Sequence, residues 1–91
     1  MSVNFGAVTV SSVAPAQQIL PSSPGRRVFV VFNNGNSVLY IGPDATVTAS
    51  NGIPISPQGD YSMEGVRILM GAIYGIAGGA SDDVRYLEYG E

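Results

Sequence analysis

The feature that most constrains the fold is the even spread of turn-forming residues along the chain. Twelve glycines and six prolines interrupt the 91 residues, and no long segment carries apolar residues at the spacing of an amphipathic helix. Short runs rich in β-branched and aromatic residues lie between these turns, as in a β-sandwich or barrel. The sequence therefore predicts an all-β fold: a small antiparallel sandwich or barrel-like domain of about seven or eight strands, with residues 1–91 as a single domain.

The strongest strand signal is the stretch "RRVFVVFNNGNSVLYIG", residues 26–42. Residues 27–33 carry apolar side chains on both faces, which predicts a central strand buried on two sides. The pair Asn34-Gly35 tolerates the positive φ angles of a tight turn, and residues 37–42 are again apolar. We therefore expect a hairpin at the centre of the core.

The first apolar run, residues 5–13, alternates between two kinds of side chain. Val8 and Val10 share one face, whereas Thr9 and Ser11 share the other. One apolar and one polar face is typical of a sheet edge or a subunit contact. Residues 1–13 are therefore predicted to be an edge strand or a strand that exchanges with a neighbour. Further strands are expected at residues 17–20, 53–56, 71–77 and 83–89, while residues 61–70 fit either an interrupted strand or an irregular turn.

Composition favours association with other subunits. A chain this short gains little stability from its own core, and it has no Cys for disulfides and no His for zinc. Charged residues make up 12% of the chain, where about 25% is usual. The net charge of −3 and the scarcity of basic residues argue against nucleic acid. No apolar run reaches the length of a membrane helix, and the first residues lack the features of a signal peptide, so we expect synthesis in a cytoplasm.

The residues that could carry chemistry are few. Without His, Cys or Lys, catalysis would depend on carboxylates, hydroxyls or Arg. Asp44, Asp60 and Glu64 fall in or beside predicted turns, where carboxylates are usually solvated, and no Ser lies in a nucleophile elbow. We therefore expect no enzyme, no cofactor and no metal. The alternative, calcium bound at Asp82-Asp83, needs several oxygen ligands to converge, and adjacent residues of a strand diverge.

Aromatic, apolar and basic residues near the predicted edges are the candidate interface. Tyr is favoured at interfaces because it combines a large area with one polar group. Tyr74, Tyr86 and Tyr89 fit either an aromatic platform for a sugar or protein, or ordinary packing. The basic pair at the start of the long strand fits either ion pairs with a neighbour or a solvated strand end. The candidate interface residues are Phe5, Val8, Val10, Arg26, Arg27, Tyr86 and Tyr89.

The order of motifs resembles that of small β-sandwich structural proteins of tailed bacteriophages. The resemblance extends over most of the chain and rests on "QQIL", "RR" before a long apolar strand ending "NNGN", "VLYIG", "VTASNGIPISPQG" and "GAIYGIAGGASDDVRYLE". These proteins are head decoration (cement) proteins and related head-fibre or tail-associated modules. The segment at residues 60–70, "DYSMEGVRILM", departs from the pattern, which has a simple strand there.

The resemblance implies a function without catalysis. It implies a capsid decoration protein on the virion surface, forming a homotrimer that bridges and stabilises subunits of the major capsid protein. Two alternatives stay open: a tail, neck or fibre-associated module or host-glycan binder, and a non-viral adhesion or carbohydrate module. The resemblance implies neither a nucleic acid nor a membrane partner.

Overall fold

A computed structural model describes residues 2–64 and 71–90 of the chain. These residues form eight strands and, within the described ranges, no helix. The predicted all-β fold is confirmed. The strands are β1 (Ser2–Ser11), β2 (Gln17–Leu20), β3 (Arg26–Asn33), β4 (Leu39–Gly42), β5 (Ile53–Ile55), β6 (Asp60–Glu64), β7 (Ile73–Ala77) and β8 (Ser81–Gly90).

The strands form two four-stranded antiparallel sheets, as in a small sandwich. The first sheet has the order β1-β8-β3-β6, and the second has the order β2-β7-β4-β5. β1 lies at one edge of the first sheet, as the alternating pattern predicts for an edge strand, and all ten of its residues pair with β8. β6 forms the opposite edge. Residues 65–70, on which part of the expectation for residues 61–70 falls, lie outside the described residues.

The core lies between the two sheets and follows the alternation of strand side chains. Phe29 and Val31 of β3 are fully buried and meet Leu39 and Ile41 of β4 within one apolar cluster. Each such side chain contributes about 1.5–3 kcal/mol when it leaves water. The rest of the buried cluster comes from five further strands and consists of Val10, Ile19, Leu20, Ile55, Ile73, Ala77 and Val84.

The expected hairpin between β3 and β4 is wrong, because the two strands belong to different sheets. β3 pairs with β6 and β8, whereas β4 pairs with β5 and β7. The buried Asn33 side chain anchors the crossing. Its Nδ2 donates to the carbonyl oxygens of Ser37 and Ile55 at 2.8 and 2.9 Å, and its Oδ1 accepts from the N–H of Gly35 at 2.9 Å. These bonds hold the turn at the seam between the sheets, so β4 continues in the second sheet.

The outer face of the second sheet is covered by the chain's own loops. Val47 and Ala16 are buried and pack with Ile76, and the half-buried Tyr40 and Tyr74 lie against this small cluster. The polar excursion at residues 43–52 thus folds back over its own sheet. The first sheet differs in this respect, and its outer face defines the candidate functional site.

Candidate assembly surface

The outer face of the first sheet is an apolar surface that none of the described segments covers. Phe29 and Val31 of β3 point into the core, so Val28, Val30 and Phe32 point outward and are half-buried. Across the sheet, Leu87 is 40% exposed and Phe5 is 75% exposed. We call this surface the open face. Its apolar members are Val3, Phe5, Val28, Val30, Phe32, Leu87 and Tyr89.

Strand register arranges the open face in rows that run across β1, β8 and β3. Phe5 lies opposite Leu87, which lies opposite Val30. The neighbouring row joins Val3, Tyr89 and Val28 in the same way. Residues directly opposite each other on one face are close enough to pack. The rows therefore form a continuous apolar patch, a feature that marks protein contacts when it is exposed.

Charged residues bound one end of the open face. Arg85 lies in the row between Ala7 and Phe32, and its guanidinium is 2.8 Å from the carboxylate of Asp83. Bonds from Arg85 and Asn34 lower the pKa of Asp83, and the same ion pair raises the pKa of Arg85. The ion pair is well exposed, so salt screens it. The surface thus has the apolar centre and polar rim of a protein interface.

The edge strand β1 adjoins this patch and lacks the usual protection of an edge. Its ten residues, SVNFGAVTVS, include no charged residue and no Pro, and its register with β8 runs without a bulge. Natural sheets normally protect such edges with charges, bulges or short strands. The opposite edge, β6, follows that rule: it has five residues and carries Asp60 and Glu64. The unprotected edge and the apolar face therefore meet along β1.

Arg26 belongs to the interior of the protein, which corrects its assignment as an interface residue. It is 2% exposed, and its Nε donates to Glu88 Oε1 at 2.6 Å. Its terminal nitrogens donate to the carbonyl oxygens of Gly71 and Pro21 at 2.9 and 2.6 Å. Asn4 of β1 donates to the other oxygen of Glu88 at 3.0 Å. This network ties β1, β3 and β8 to two loops.

The remaining candidate interface residues divide between the open face and the interior. Phe5 and Tyr89 lie on the open face, and Arg27 is exposed at the start of β3. Val10 is fully buried, and Val8 packs half-buried against the core, so the apolar face of β1 is its inner face. Tyr86 also packs half-buried against the core. An alternation of period two shows that two faces differ but not which one faces the core.

The three tyrosines do not share a surface, so the aromatic platform is wrong. Tyr89 lies on the open face, and Tyr86 packs on the inner side of the same strand. Tyr74 lies in the other sheet beside Val47 and Ala16. The platform was inferred from residue type alone, and the register of β8 separates two of its members.

Sequence reasoning missed most of the open face. Val3, Val28, Val30, Phe32 and Leu87 were not among the candidate interface residues, although all five lie on this face. The available signal was the two-sided apolarity of residues 27–33. That pattern predicts burial on both sides, whereas the described chain buries one side and leaves the other, at Val28, Val30 and Phe32, half-buried.

Asp44, Asp82 and Asp83 each accept local hydrogen bonds, although no described residue bonds to the buried Oδ2 of Asp82. Asp82 and Asp83 face opposite sides of β8: Asp82 is buried and accepts from Ser37 N–H and Oγ at 3.1 and 2.8 Å, while Asp83 binds Arg85. Asp44 accepts from Thr46, which lowers its pKa. No group of three or more acidic side chains in residues 2–64 and 71–90 is placed to hold a metal ion. Within the same ranges, no helix has the length and hydropathy to span a bilayer.

Comparisons of the chain with protein-family models, with curated proteins and with solved structures find no match. The geometry above defines a β-sandwich with one face covered by its own loops and one face left open. The proposal for its function starts from that asymmetry.

Proposed function

We propose that this protein is a non-catalytic structural component of a phage virion, a decoration protein that binds the major capsid protein and stabilises the shell. The observation that carries the proposal is the open face, an apolar surface joined to an unprotected strand edge. The location on a phage capsid comes from the resemblance of its motifs to phage decoration proteins. The surface itself supports the more general part, which is assembly with other subunits.

The two outer faces of the sandwich differ in how their apolar side chains are covered. The second sheet keeps Ile76 at 7% exposure by folding residues 43–52 over it. The first sheet leaves Phe5 and Val3 at 75% and 59% exposure on an edge that bears no charge. Burial of apolar area stabilises an assembly by roughly 25 cal/mol per Å². A small domain with a modest core gains stability whenever a partner covers that area.

Decoration of a shell suits a surface of this kind, because many identical sites act together. Modest contacts become effective when neighbouring coat subunits present them in a fixed array. The strand edge of β1 adds main-chain hydrogen bonds to the available contacts. The homotrimer that the resemblance implies stays a prediction. The oligomeric state of the free protein has to be measured separately from its binding to the capsid.

Quantitative mass spectrometry of purified virions tests the proposal. The proposal requires that a phage genome encodes the chain, and the virions are purified from that phage. A decoration protein gives many copies per particle, in a fixed proportion to the coat protein. Absence from the particle overturns the proposal. A handful of copies together with reproducible hits on a glycan array replaces it with a tail or fibre-associated, glycan-binding module.

A further inference from the structure

We propose that the free edge of β1 pairs with the same edge of a second copy, which joins the first sheets of two molecules into one continuous antiparallel sheet. The inference goes beyond the proposed function, because a shell component need not pair with itself. It assigns only the strand edge to the second copy and leaves the open face to the shell. It rests on the direction of the main-chain groups of β1, on the point where the free edge ends, and on the register that relates two such edges.

Two hydrogen bonds show which residues of β1 direct their main-chain groups away from β8. The N–H of Ser12 donates to the carbonyl oxygen of Ala80 at 3.3 Å, in the same register as the β1–β8 pairs. The N–H of Ser11 points the other way, since it donates to Gln17 Oε1 at 2.7 Å. Main-chain groups alternate in direction along an antiparallel strand, and β1 runs without a bulge. The groups on the free edge therefore belong to the odd-numbered residues, which are Val3, Phe5, Ala7 and Thr9.

The free edge has a defined end and is open along the rest of its length. Gln17 bonds to Ser11 and so closes the edge beyond Thr9. Within residues 2–64 and 71–90, the outward N–H and C=O groups from residue 3 to residue 9 have no hydrogen-bond partner. The open segment is centred on Gly6, which makes it symmetric about its own midpoint.

This symmetry allows two copies of the segment to satisfy each other completely. A half-turn about an axis through Gly6, perpendicular to the sheet, places Val3 opposite Thr9 of the second copy and Phe5 opposite Ala7 of the second copy. Each kind of pair occurs twice, and each pair exchanges two hydrogen bonds, so the four pairs form eight bonds. A register shift has to be an even number of residues, because a shift by one exchanges the faces. A shift by two places Val3 opposite the closed Ser11, or leaves Thr9 beyond the described end of the partner strand.

The side chains are compatible with this register. The large ring of Phe5 lies beside the small side chain of Ala7, and the β-branched Val3 and Thr9 lie opposite each other, as suits a cross-strand pair. Gly6 places no side chain at the axis, where the two backbones come closest. A Cβ at Gly6 would also lie 2.8 Å from the hydroxyl of Tyr86 in its own chain.

The charges of the first sheet do not oppose the contact. β1 carries no charge, and both Arg27 of β3 and the acidic residues of β6 lie on the far side of β8 from the junction. On the open face, Arg85 lies beside Ala7 and Asp83 lies beside Thr9. Across the junction, the rows of these two charged residues continue to uncharged β8 residues of the second copy, Leu87 and Tyr89.

Sedimentation equilibrium of the purified full chain, with no capsid component present, tests the pairing. We expect twice the chain mass for the wild type. Ala7→Pro removes one outward N–H from each copy and leaves the bonds to β8 in place, because its nitrogen faces the free edge. The loss of two hydrogen bonds should weaken the dimer by about tenfold. A monomeric or trimeric wild type overturns the inference, and neither result touches the capsid proposal.

The matched control is Ser62→Pro on β6, the opposite edge of the same sheet. The N–H of Asn33 donates to the carbonyl oxygen of Gly59 at 2.9 Å, so the same alternation directs the N–H of Ser62 away from β3. We expect Ser62→Pro to dimerise like the wild type, and equal weakening by the two variants overturns the inference. A circular dichroism melt checks that both variants fold, and disulfide formation tests the pairing without a Pro in either strand.

Disulfide formation tests the register directly. The chain has no Cys, so the single variants Val3→Cys and Thr9→Cys introduce one thiol each at exposed positions. Opposite residues of a bonded pair have Cα atoms about 5.5 Å apart, within the range that a disulfide spans. The same residue in the two copies is six positions away along the strand, about 20 Å. We expect mild oxidation to give a heterodimer from the mixture and no dimer from either variant alone; a dimeric mixture without that heterodimer overturns the inference.

Discussion

Arg26 and Glu88 form an ion pair inside the sandwich, with Nε and Oε1 2.6 Å apart and the Arg26 side chain fully withdrawn from water. The guanidinium carbon of Arg26 also lies 5.6 Å from the centre of the Phe29 ring. Every nitrogen of the guanidinium donates to a carboxylate or carbonyl oxygen of the surroundings. The pair therefore sets the arrangement of β1, β3 and β8, and with it the shape of the open face.

Replacement of one member of this pair is expected to destabilise the fold strongly. Arg26→Met leaves Glu88 buried without its cation, at a cost of about 3–5 kcal/mol in the free energy of unfolding. Urea denaturation measures the loss. The control is Arg85→Met, which breaks an exposed ion pair and is expected to cost much less. Similar losses in the two variants would contradict the structural role of Arg26.

The turn between β3 and β4 is expected to tolerate no side chain at Gly35. A Cβ there would lie 2.8 Å from the Cα of Asp82 and closer still to its carboxylate. Because backbone must move to relieve the clash, Gly35→Ala is expected to lower stability by about 1–3 kcal/mol.

Gly71→Ala is the matched control for this substitution, since a Cβ at Gly71 meets nothing within 4 Å. A change there is expected to be neutral or slightly stabilising. Thermal or urea unfolding compares the two variants. If Gly35→Ala were as stable as Gly71→Ala, the turn would accommodate a Cβ, and the predicted clash with Asp82 would be contradicted.

Stability is expected to fall in acid partly through Asp83. Bonds from Arg85 and Asn34 hold its pKa below the ordinary value of 3.8. A carboxyl with a lowered folded-state pKa contributes stability above its unfolded pKa and loses it as the pH falls through the folded value. Unfolding free energies measured from pH 6 to pH 2 should therefore decline less steeply for Asp83→Asn. The control is Thr9→Ala, which changes the uncharged residue opposite Asp83 and should keep the wild-type dependence of the unfolding free energy on pH. The same dependence in Asp83→Asn would contradict a contribution of Asp83 to the loss of stability in acid.

Two leucines distinguish the core from the open face. Leu39 is fully buried, whereas Leu87 is 40% exposed. Leu39→Ala is expected to cost about 2–5 kcal/mol, and Leu87→Ala considerably less in the isolated subunit. This difference is measured as the free energy of unfolding of each variant. The protein concentration is kept below the dissociation constant of the oligomer, so that only isolated subunits unfold. A large loss for Leu87→Ala under those conditions would show that its face is covered within one chain.

The sequence pattern predicts the strands well and their partners poorly. Valine and isoleucine runs separated by Gly and Pro identify the strands, because propensity and alternation are local. The predicted hairpin at Asn34-Gly35 is wrong because β4 pairs in the other sheet. The buried hydrogen bonds of Asn33 to Ser37 and Ile55 stabilise that crossing, and a local sequence pattern does not show them. The structure places Val10 on the buried inner face of β1 for a related reason: alternation separates two faces, and tertiary packing decides which one is buried.

Footprinting shows whether the open face is covered in the assembled state. Carbene labelling of the native assembly and of the dilute subunit compares four exposed apolar residues. We expect Phe5 and Leu87 to lose labelling on assembly, whereas Val13 and Ile53, which are exposed elsewhere on the molecule, keep it. Unchanged labelling of Phe5 and Leu87 in the assembly would contradict a covered open face.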